Sequence, residues 1–331
     1  MSESIINRSA DGEMNQTGPA LIFSGQGAQE KGMGKDLAEA ETDAMDLWKE
    51  AEKASGLPLR EIYWNGEEDA QSDTRALQPA LTVVNYNLWN SLNKRHSLKP
   101  AACAGHSLGE FSALAAAGVL DPAEAVRATA LRGRLMAEAD PERQGSMAAI
   151  MRLDEAQVDA LVKETAAQTG LTVVSANFNT PSQTVISGLK EAVNLVCAKA
   201  KALKGRALEL KVSGAFHSPL MAEANAEFQK YLNRLNWRDP RFPVFSNSTG
   251  KAAKSGQEVK KGILTQMVSP VYWVNTMRSL YLSGIRWWME ISPRAVLGKM
   301  VGPSMAGIAG QCDSLRVDLI NSLSGILNYI P

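Results

Sequence analysis

The pentapeptide Gly-His-Ser-Leu-Gly at residues 105–109 carries the strongest chemical signal in this sequence. It follows the short apolar segment AACAG and precedes a segment with helical spacing, which is the strand-turn-helix context of a nucleophile elbow. Glycine at both ends lets a strand reverse into a helix within two residues, so the turn projects the Ser107 hydroxyl. The Leu108 N–H and the helix dipole would stabilise negative charge there. The alternative is a chance pair of glycines around a serine.

A serine hydroxyl needs a base near neutral pH, and the sequence holds three histidines. His96 lies in the polar stretch NKRHSLK, which predicts a solvated side chain. His106 directly precedes the predicted nucleophile, and the tight turn points its side chain away, which favours a packing role beside the site. His217 lies in a loop between a predicted strand and a proline-started helix, and it is the remaining candidate. A capped or core histidine is the alternative interpretation.

Two further features fit chemistry at Ser107. The loop at residues 25–29 follows the strand segment ALIFS and would place a backbone N–H opposite that of Leu108. It lacks the GxxxxGK(S/T) pattern of a phosphate-binding loop. Arg132 lies on a rather apolar stripe of a predicted helix, where an arginine either reaches past the stripe to solvent or meets an anion. Taken alone, a plain turn and a solvated arginine are the simpler interpretations.

Strands and helices alternate in the part of the chain that must position these residues. The segment ALIFS, two helices and AACAG are followed by a helix from Asp121-Pro122 to about Ala139, which predicts a parallel sheet covered on both faces. The second of the two helices between ALIFS and AACAG is predicted to follow Pro79. After residue 213 the same alternation resumes, with strands FPVFS and WWMEI and then helical C-terminal segments.

Residues 145–212 follow a different order, βαββαβ, which is that of a ferredoxin-like lobe. We therefore predict an α/β domain of residues 19–143 and 214–331, interrupted by a small ferredoxin-like subdomain of residues 144–213. Residues 1–18 are polar, suit neither a signal peptide nor a transit peptide, and predict a mobile tail.

Composition excludes several classes of function. Lys and Arg together number 35, as do Asp and Glu, so no general field attracts nucleic acid or an anionic membrane. No apolar run approaches the ~18 residues of a membrane span. The three cysteines are scattered without metal-ligand spacing, so we expect a reducing, cytoplasmic setting, structural thiols and no metal site.

Motif content, order and spacing together resemble the malonyl-CoA:acyl-carrier-protein transacylases of fatty-acid synthesis and the related acyltransferase domains of polyketide synthases. The resemblance runs from about Ala20 to Val301 and implies an α/β-hydrolase-like large subdomain, with a mainly parallel sheet, plus an inserted ferredoxin-like one. It implies malonyl-CoA and acyl carrier protein as partners, and no cofactor beyond the coenzyme A thioester substrate. The motifs are FSGQGAQ, GHSLGE, LRGRLM, GSMAAI, NFNTPSQTVISG, SGAFHSPLM, PVFSNSTG and PVYW.

The resemblance also implies roles for individual residues. Ser107 is the nucleophile, His217 is its base, and Arg132 holds the free carboxylate of the substrate. Gln26 and Leu108 provide the oxyanion-hole amides. Further positions matched to the pocket are Gln266, whose backbone orients the histidine, Asn179, His106 and Phe216, a bulky residue associated with the choice of malonyl over methylmalonyl groups.

Two departures from the family pattern fall near the pocket rim. Ser24 stands where the family often has proline, and ISPRAVLG, with Arg294, replaces a more glycine-rich segment.

Two rival functions share part of this pattern. A serine esterase or lipase has the same elbow, but it would need an HGGG-type oxyanion loop, which the sequence lacks, and the inserted lobe is unexpected. A catalytically silent scaffold that only docks carrier proteins has no need for Ser107, His217 and Arg132 together. Turnover with malonyl-CoA separates all three hypotheses.

Overall fold

A mainly parallel sheet with fully buried central strands organises the larger part of the chain. The computed structural model describes residues 18–67, 70–308 and 314–330, so the predicted tail lies outside the described residues except for Gly18, and Cys312 also lies outside them. The strands of this sheet are β1 (Ala20–Phe23), β2 (Ala102–Gly105), β7 (Val244–Phe245), β8 (Ala252–Ala253), β9 (Trp287–Ile291) and β10 (Arg316–Ile320). Their order is β10-β9-β1-β2-β7-β8, and every neighbouring pair is parallel except β7 with β8.

Successive residues of β1 face opposite sides of the sheet, and each side is covered by helices. Leu21 and Phe23 pack into one core with Leu81, whereas Ala20 and Ile22 pack into a second core with Trp273. No helix of the described residues is long and apolar enough to cross a membrane. The helices are α1 (Lys35–Ala40), α2 (Thr42–Ser55), α3 (Thr74–His96), α4 (Gly109–Ala116), α5 (Pro122–Glu138), α8 (Ala222–Leu232), α9 (Gly256–Gln266), α10 (Trp273–Leu282), α11 (Gly298–Ser304) and α12 (Leu323–Leu327).

A second sheet of four antiparallel strands forms the inserted subdomain. Its elements are β3 (Gly145–Met151), α6 (Glu155–Thr169), β4 (Val173–Thr180), β5 (Gln183–Leu189), α7 (Lys190–Ala202) and β6 (Arg206–Glu209). The spatial order β4-β5-β3-β6 is the ferredoxin-like arrangement that the sequence predicted. Val271, in the segment before α10, attaches the larger subdomain to this sheet, because its N–H donates to Ala176 O at 2.8 Å and its carbonyl accepts from Phe178 N–H at 2.9 Å.

The structure corrects the predicted start of one helix. Helix α3 begins at Thr74 rather than after Pro79, because the Asp73 carboxylate accepts a hydrogen bond from the Arg75 N–H and caps the helix there. Pro79 lies near this end, so its missing N–H costs only one backbone hydrogen bond.

The prediction of helical segments alone at the C-terminus is wrong for residues 316–320. This segment is strand β10, which pairs in parallel with β9 at the edge of the sheet. Val317 and Leu319 stay largely exposed. The alternating pattern RVDLI is too short to separate an edge strand from a helical turn, and only the exposed edge of β9 decides between them.

At the two glycines of the elbow, any side chain would clash with backbone atoms of neighbouring segments. A Cβ on Gly109 would lie 2.1 Å from the Phe23 carbonyl oxygen, and a Cβ on Gly105 would lie 2.0 Å from the Gly109 carbonyl. By contrast, a Cβ on Gly325 in α12 would meet nothing closer than 3.4 Å. The elbow therefore depends on glycine for close approach to β1.

Gly109→Ala should lower the free energy of unfolding by about 3 kcal/mol, because the added methyl forces β1 away from the elbow. Gly325→Ala is the matched control, and it should leave stability unchanged or raise it by up to about 1 kcal/mol. Urea-induced unfolding measures both. Equal midpoints for the two variants would contradict the steric explanation.

Candidate active site

The Ser107 side chain stands at the turn between β2 and α4, in a backbone conformation that side chains rarely adopt. Its φ is +51°, within the left-handed region. The Ser107 N–H donates to Asn247 Oδ1 at 2.7 Å, and Asn247 Nδ2 donates to the Gly105 carbonyl at 2.6 Å. The Asn247 side chain therefore bridges both sides of the turn and stabilises its strained conformation.

His217 lies within hydrogen-bond distance of the serine. Its Nε2 is 2.7 Å from Ser107 Oγ, while its Nδ1 is 3.0 Å from the Gln266 carbonyl and 3.1 Å from the Ser269 carbonyl. Carbonyl oxygens only accept, so Nδ1 carries the proton and Nε2 has a free lone pair. The serine hydroxyl therefore donates to Nε2, which is the arrangement of a general base with its nucleophile.

The imidazole is held in its neutral form. Burial lowers the pKa of His217 to about 3, and the positive charge of Arg132 acts in the same direction. The two carbonyl groups at Nδ1 oppose the shift in part. A neutral ring is the form that can accept a proton from Ser107.

Arg132 places a buried cation beside the nucleophile. Its Nη2 is 3.3 Å from Ser107 Oγ and donates to Gln266 Oε1 at 3.0 Å, while Nη1 donates to Gln78 Oε1 at 2.8 Å. All of these acceptors are neutral, and the buried Nε has no hydrogen-bond partner among the described residues. Burial lowers the pKa of Arg132 to about 10, so the group stays charged at neutral pH. An anionic ligand would fit this charge.

The Gln266 side chain connects this cation to a buried carboxyl group. Its Nε2 donates to Glu110 Oε2 at 2.7 Å and to the Ser107 carbonyl at 2.9 Å, which leaves Oε1 for Arg132. Burial raises the pKa of Glu110 to about 7, against the opposing effect of its hydrogen bonds and of Arg132. The amide is thereby oriented by groups on both sides, and it fixes the guanidinium in turn.

The backbone amides of Gln26 and Leu108 are free to act as donors. Among the described residues none accepts a hydrogen bond from either N–H. Gly25 allows their approach, since a Cβ there would lie 2.5 Å from the His106 carbonyl oxygen. Two free amides beside a serine are suited to stabilise a developing oxyanion.

One cavity of about 180 Å³ brings the predicted residues together. Eight of the nine candidates line it, and Gln266 lies behind Arg132 and His217. Asn179, from β4 of the small subdomain, contacts His106 rather than Ser107, with Oδ1 and Nε2 2.8 Å apart. The lining candidates are Gln26, His106, Ser107, Leu108, Arg132, Asn179, Phe216 and His217.

His96 lies away from this cavity. It is half-buried rather than solvated, because its Nε2 is 3.1 Å from the Ile326 carbonyl and its ring packs edge-on against Tyr329. The polar sequence around it did not reveal this contact, since Ile326 lies 230 residues further along the chain.

Sequence reasoning assigned no role to three polar residues that organise the site. Asn247 supports the elbow, Gln78 orients Arg132, and Glu110 orients Gln266. Glu110 and Asn247 fall within the motifs GHSLGE and PVFSNSTG, which were the available signal for them. Gln78 precedes Pro79 in a buried helix and had no such signal.

A protein-family model and a protein of known name each match most of this chain. The family model described as acyl transferase domain matches residues 20–308. The malonyl CoA-acyl carrier protein transacylase of Haemophilus influenzae is 35% identical over 315 residues, which cover 94% of this chain and 98% of that protein.

Solved structures resemble this fold closely. A malonyl-transacylase solved in complex with its type II PKS acyl-carrier protein has a TM-score of 0.86 and 34% identity, covering 94% of this chain and 98% of that one. FabD from Acinetobacter baumannii has a TM-score of 0.86 and 33% identity, with coverage of 94% and 96%.

The His217 ring should stay neutral across the range in which an ordinary histidine titrates. Its pKa of about 3 lies far below the usual value, so its NMR ring resonances should not shift between pH 8 and pH 5. A His217→Gln variant identifies the resonance by its loss. A titration of that resonance near pH 6.5 would contradict the buried, neutral assignment.

Proposed function

This chain belongs to the acyl transferase domain family, and we propose that it works through a covalent malonyl-Ser107 intermediate with His217 as general base. It is a malonyl-CoA:acyl-carrier-protein transacylase, which moves a malonyl group from coenzyme A to the phosphopantetheine thiol of acyl carrier protein in fatty-acid or polyketide synthesis. The geometry of the cavity supports the formation of this intermediate and the transfer of its malonyl group.

The first half-reaction loads the enzyme. His217 Nε2 takes the Ser107 proton while Oγ forms a bond to the thioester carbonyl carbon. The Gln26 and Leu108 amides stabilise the resulting oxyanion. When the carbon–sulfur bond breaks, His217 returns the proton to the departing coenzyme A thiolate. The second half-reaction reverses these events, with the carrier thiol as the attacking group.

Among the described residues, His217 has no carboxylate partner. The Gln266 and Ser269 carbonyls hold the ring in the required tautomer, but they stabilise an imidazolium less than an anion would. A thiol of pKa ~8.5 is a better leaving group than an alcohol or an amine, so less proton donation is needed. A histidine held by two carbonyls is therefore sufficient for transfer between thioesters.

The main support for a substrate with a free carboxylate is that the hydrogen-bond partners of Arg132 are neutral. A buried guanidinium with no carboxylate in ion-pair distance among the described residues, and 3.3 Å from the nucleophile, can receive the free carboxylate of malonate. An acetyl group would leave this cation unpaired. The same residue thus favours malonyl groups and disfavours acetyl groups.

Ser107→Ala should show no malonyl adduct, because the hydroxyl is the group that forms the covalent bond. Intact-protein mass spectrometry after brief exposure to malonyl-CoA measures the adduct. His217→Ala should form it at least about 100-fold more slowly, whereas His96→Ala, the matched control, should load at the wild-type rate. An adduct on the Ser107→Ala protein would place the nucleophile elsewhere.

Arg132→Ala should lower kcat/KM for malonyl-CoA by about 100-fold, because a charge-assisted hydrogen-bond pair is lost. Acetyl-CoA should be accepted better relative to malonyl-CoA, since no cation remains to be left unpaired. Arg134→Ala removes an exposed arginine from the same helix and is the matched control. The ratio of the two loading rates decides the question, and an unchanged ratio would remove Arg132 from substrate selection.

A further inference from the structure

The loop that carries the Gln26 amide contains two glycines, and residues on either side of Gln26 form hydrogen bonds to the segment after β9. Gly27 has a φ of +102°, and a Cβ there would meet no atom within 4 Å, so the loop is not confined by packing at that point. Within the loop, the Gly27 N–H donates to Gln29 Oε1 at 2.8 Å. A glycine-rich turn of this kind has wide conformational freedom unless other segments fix its peptide groups.

The start of the loop is tied to the segment after β9 by a directional pair of hydroxyl groups. Ser292 Oγ donates its single proton to the Arg294 carbonyl at 2.8 Å. Ser24 must therefore donate in the 2.5 Å contact between the Ser24 and Ser292 hydroxyls. Both serines are fully buried, so water does not compete for these bonds.

The residue after Gln26 is hydrogen-bonded to the same segment. The Arg294 guanidinium donates through Nη2 to the Gly27 carbonyl. The segment itself is rigid, because the buried Glu290 carboxylate accepts the N–H groups of Val296, Leu297 and Gly298 at 2.8–2.9 Å. Contacts to one rigid segment therefore lie on both sides of Gln26.

We propose that Ser24, Ser292 and Arg294 form a clasp that positions the Gln26 amide for the oxyanion. We call these three residues the loop clasp. The inference rests on the proposed Ser107 mechanism, in which Gln26 supplies one of the two oxyanion donors. Ser24 and Arg294 are positioning residues, since they act on the reaction through the backbone of residues 25–27 and not by contact with Ser107.

Loss of the loop clasp should have a specific kinetic effect. An oxyanion donor acts on the transition state more than on the bound thioester, so its displacement lowers the rate at saturation with little change in KM. Complete loss of one such donor costs roughly 10²–10³-fold. Loosening its support should cost less, about 10-fold.

Arg294 also faces a surface groove that carries other cations, so an effect on coenzyme A binding must be separated from support of the Gln26 loop. Arg294 lines this groove of about 780 Å³ together with Arg152, Arg206 and Lys299, and the phosphates of coenzyme A would meet these cations. Malonyl-pantetheine lacks those phosphates and is the probe that removes this contribution. Arg134→Ala is the matched control, because Arg134 is an exposed arginine that lines neither the groove nor the cavity at Ser107.

The experiment measures the rate of malonyl-Ser107 formation in single turnover with saturating malonyl-pantetheine, normalised to the final fraction of protein acylated. Arg294→Ala and Ser24→Ala should each load about 10-fold more slowly with KM unchanged. Arg294→Lys should recover part of the rate, because its ammonium can still donate to the Gly27 carbonyl. Arg134→Ala should load at the wild-type rate.

The double variant Ser24→Ala/Arg294→Ala tests whether the residues act as one unit. A combined loss smaller than the product of the single losses is expected for a shared function. Wild-type rates with malonyl-pantetheine, a loss seen only with malonyl-CoA, or fully independent losses would each overturn the loop clasp. Failure of the Ser107 mechanism is distinguishable, since the Ser107→Ala protein would then still acquire the adduct.

Discussion

The close approach of the elbow to strand β1 is the constraint on which the site depends. The carbonyl oxygen of Phe23 occupies the space where a Gly109 side chain would begin, at 2.1 Å from an added Cβ. This approach brings the loop after β1 beside the turn after β2, so that the free amides of Gln26 and Leu108 lie next to one serine. Without glycine at 109 the strands would separate and the two amides with them.

Electrostatics at Ser107 are arranged around a cation rather than an anion. Arg132 is buried among neutral oxygens, and it holds the pKa of His217 further below its ordinary value. The Gln266 amide lies between this cation and the Glu110 carboxyl group, so the two ionisable groups are separated by one side chain. The guanidinium therefore has only neutral hydrogen-bond partners among the described residues, and the chain of polar side chains that contacts it stabilises its position.

The small subdomain and the segment that leads into α11 both contribute side chains to the lining of the cavity. Asn179 of β4 contacts His106, and the backbone hydrogen bonds of Val271 attach β4 to the segment before α10. The segment between β9 and α11 supports the Gln26 loop through Arg294 and lines the cavity through Val296. Ser24 and Arg294, the two departures from the family pattern, therefore contact the same loop system.

Local sequence determined the elements and the chemistry of the elbow. The glycine spacing around Ser107, the alternation of strands with helices and the βαββαβ order of the insert are short-range patterns, because steric limits and side-chain periodicity act over a few residues. Only the tertiary structure decided which groups from distant parts of the chain form hydrogen bonds to the elbow and to the loop after β1. Asn247 lies 140 residues from Ser107 and Ser292 lies 268 residues from Ser24, and hydrogen bonds across such separations follow from packing that no local pattern encodes. The same reason explains β10, whose strand character comes from the open edge of β9.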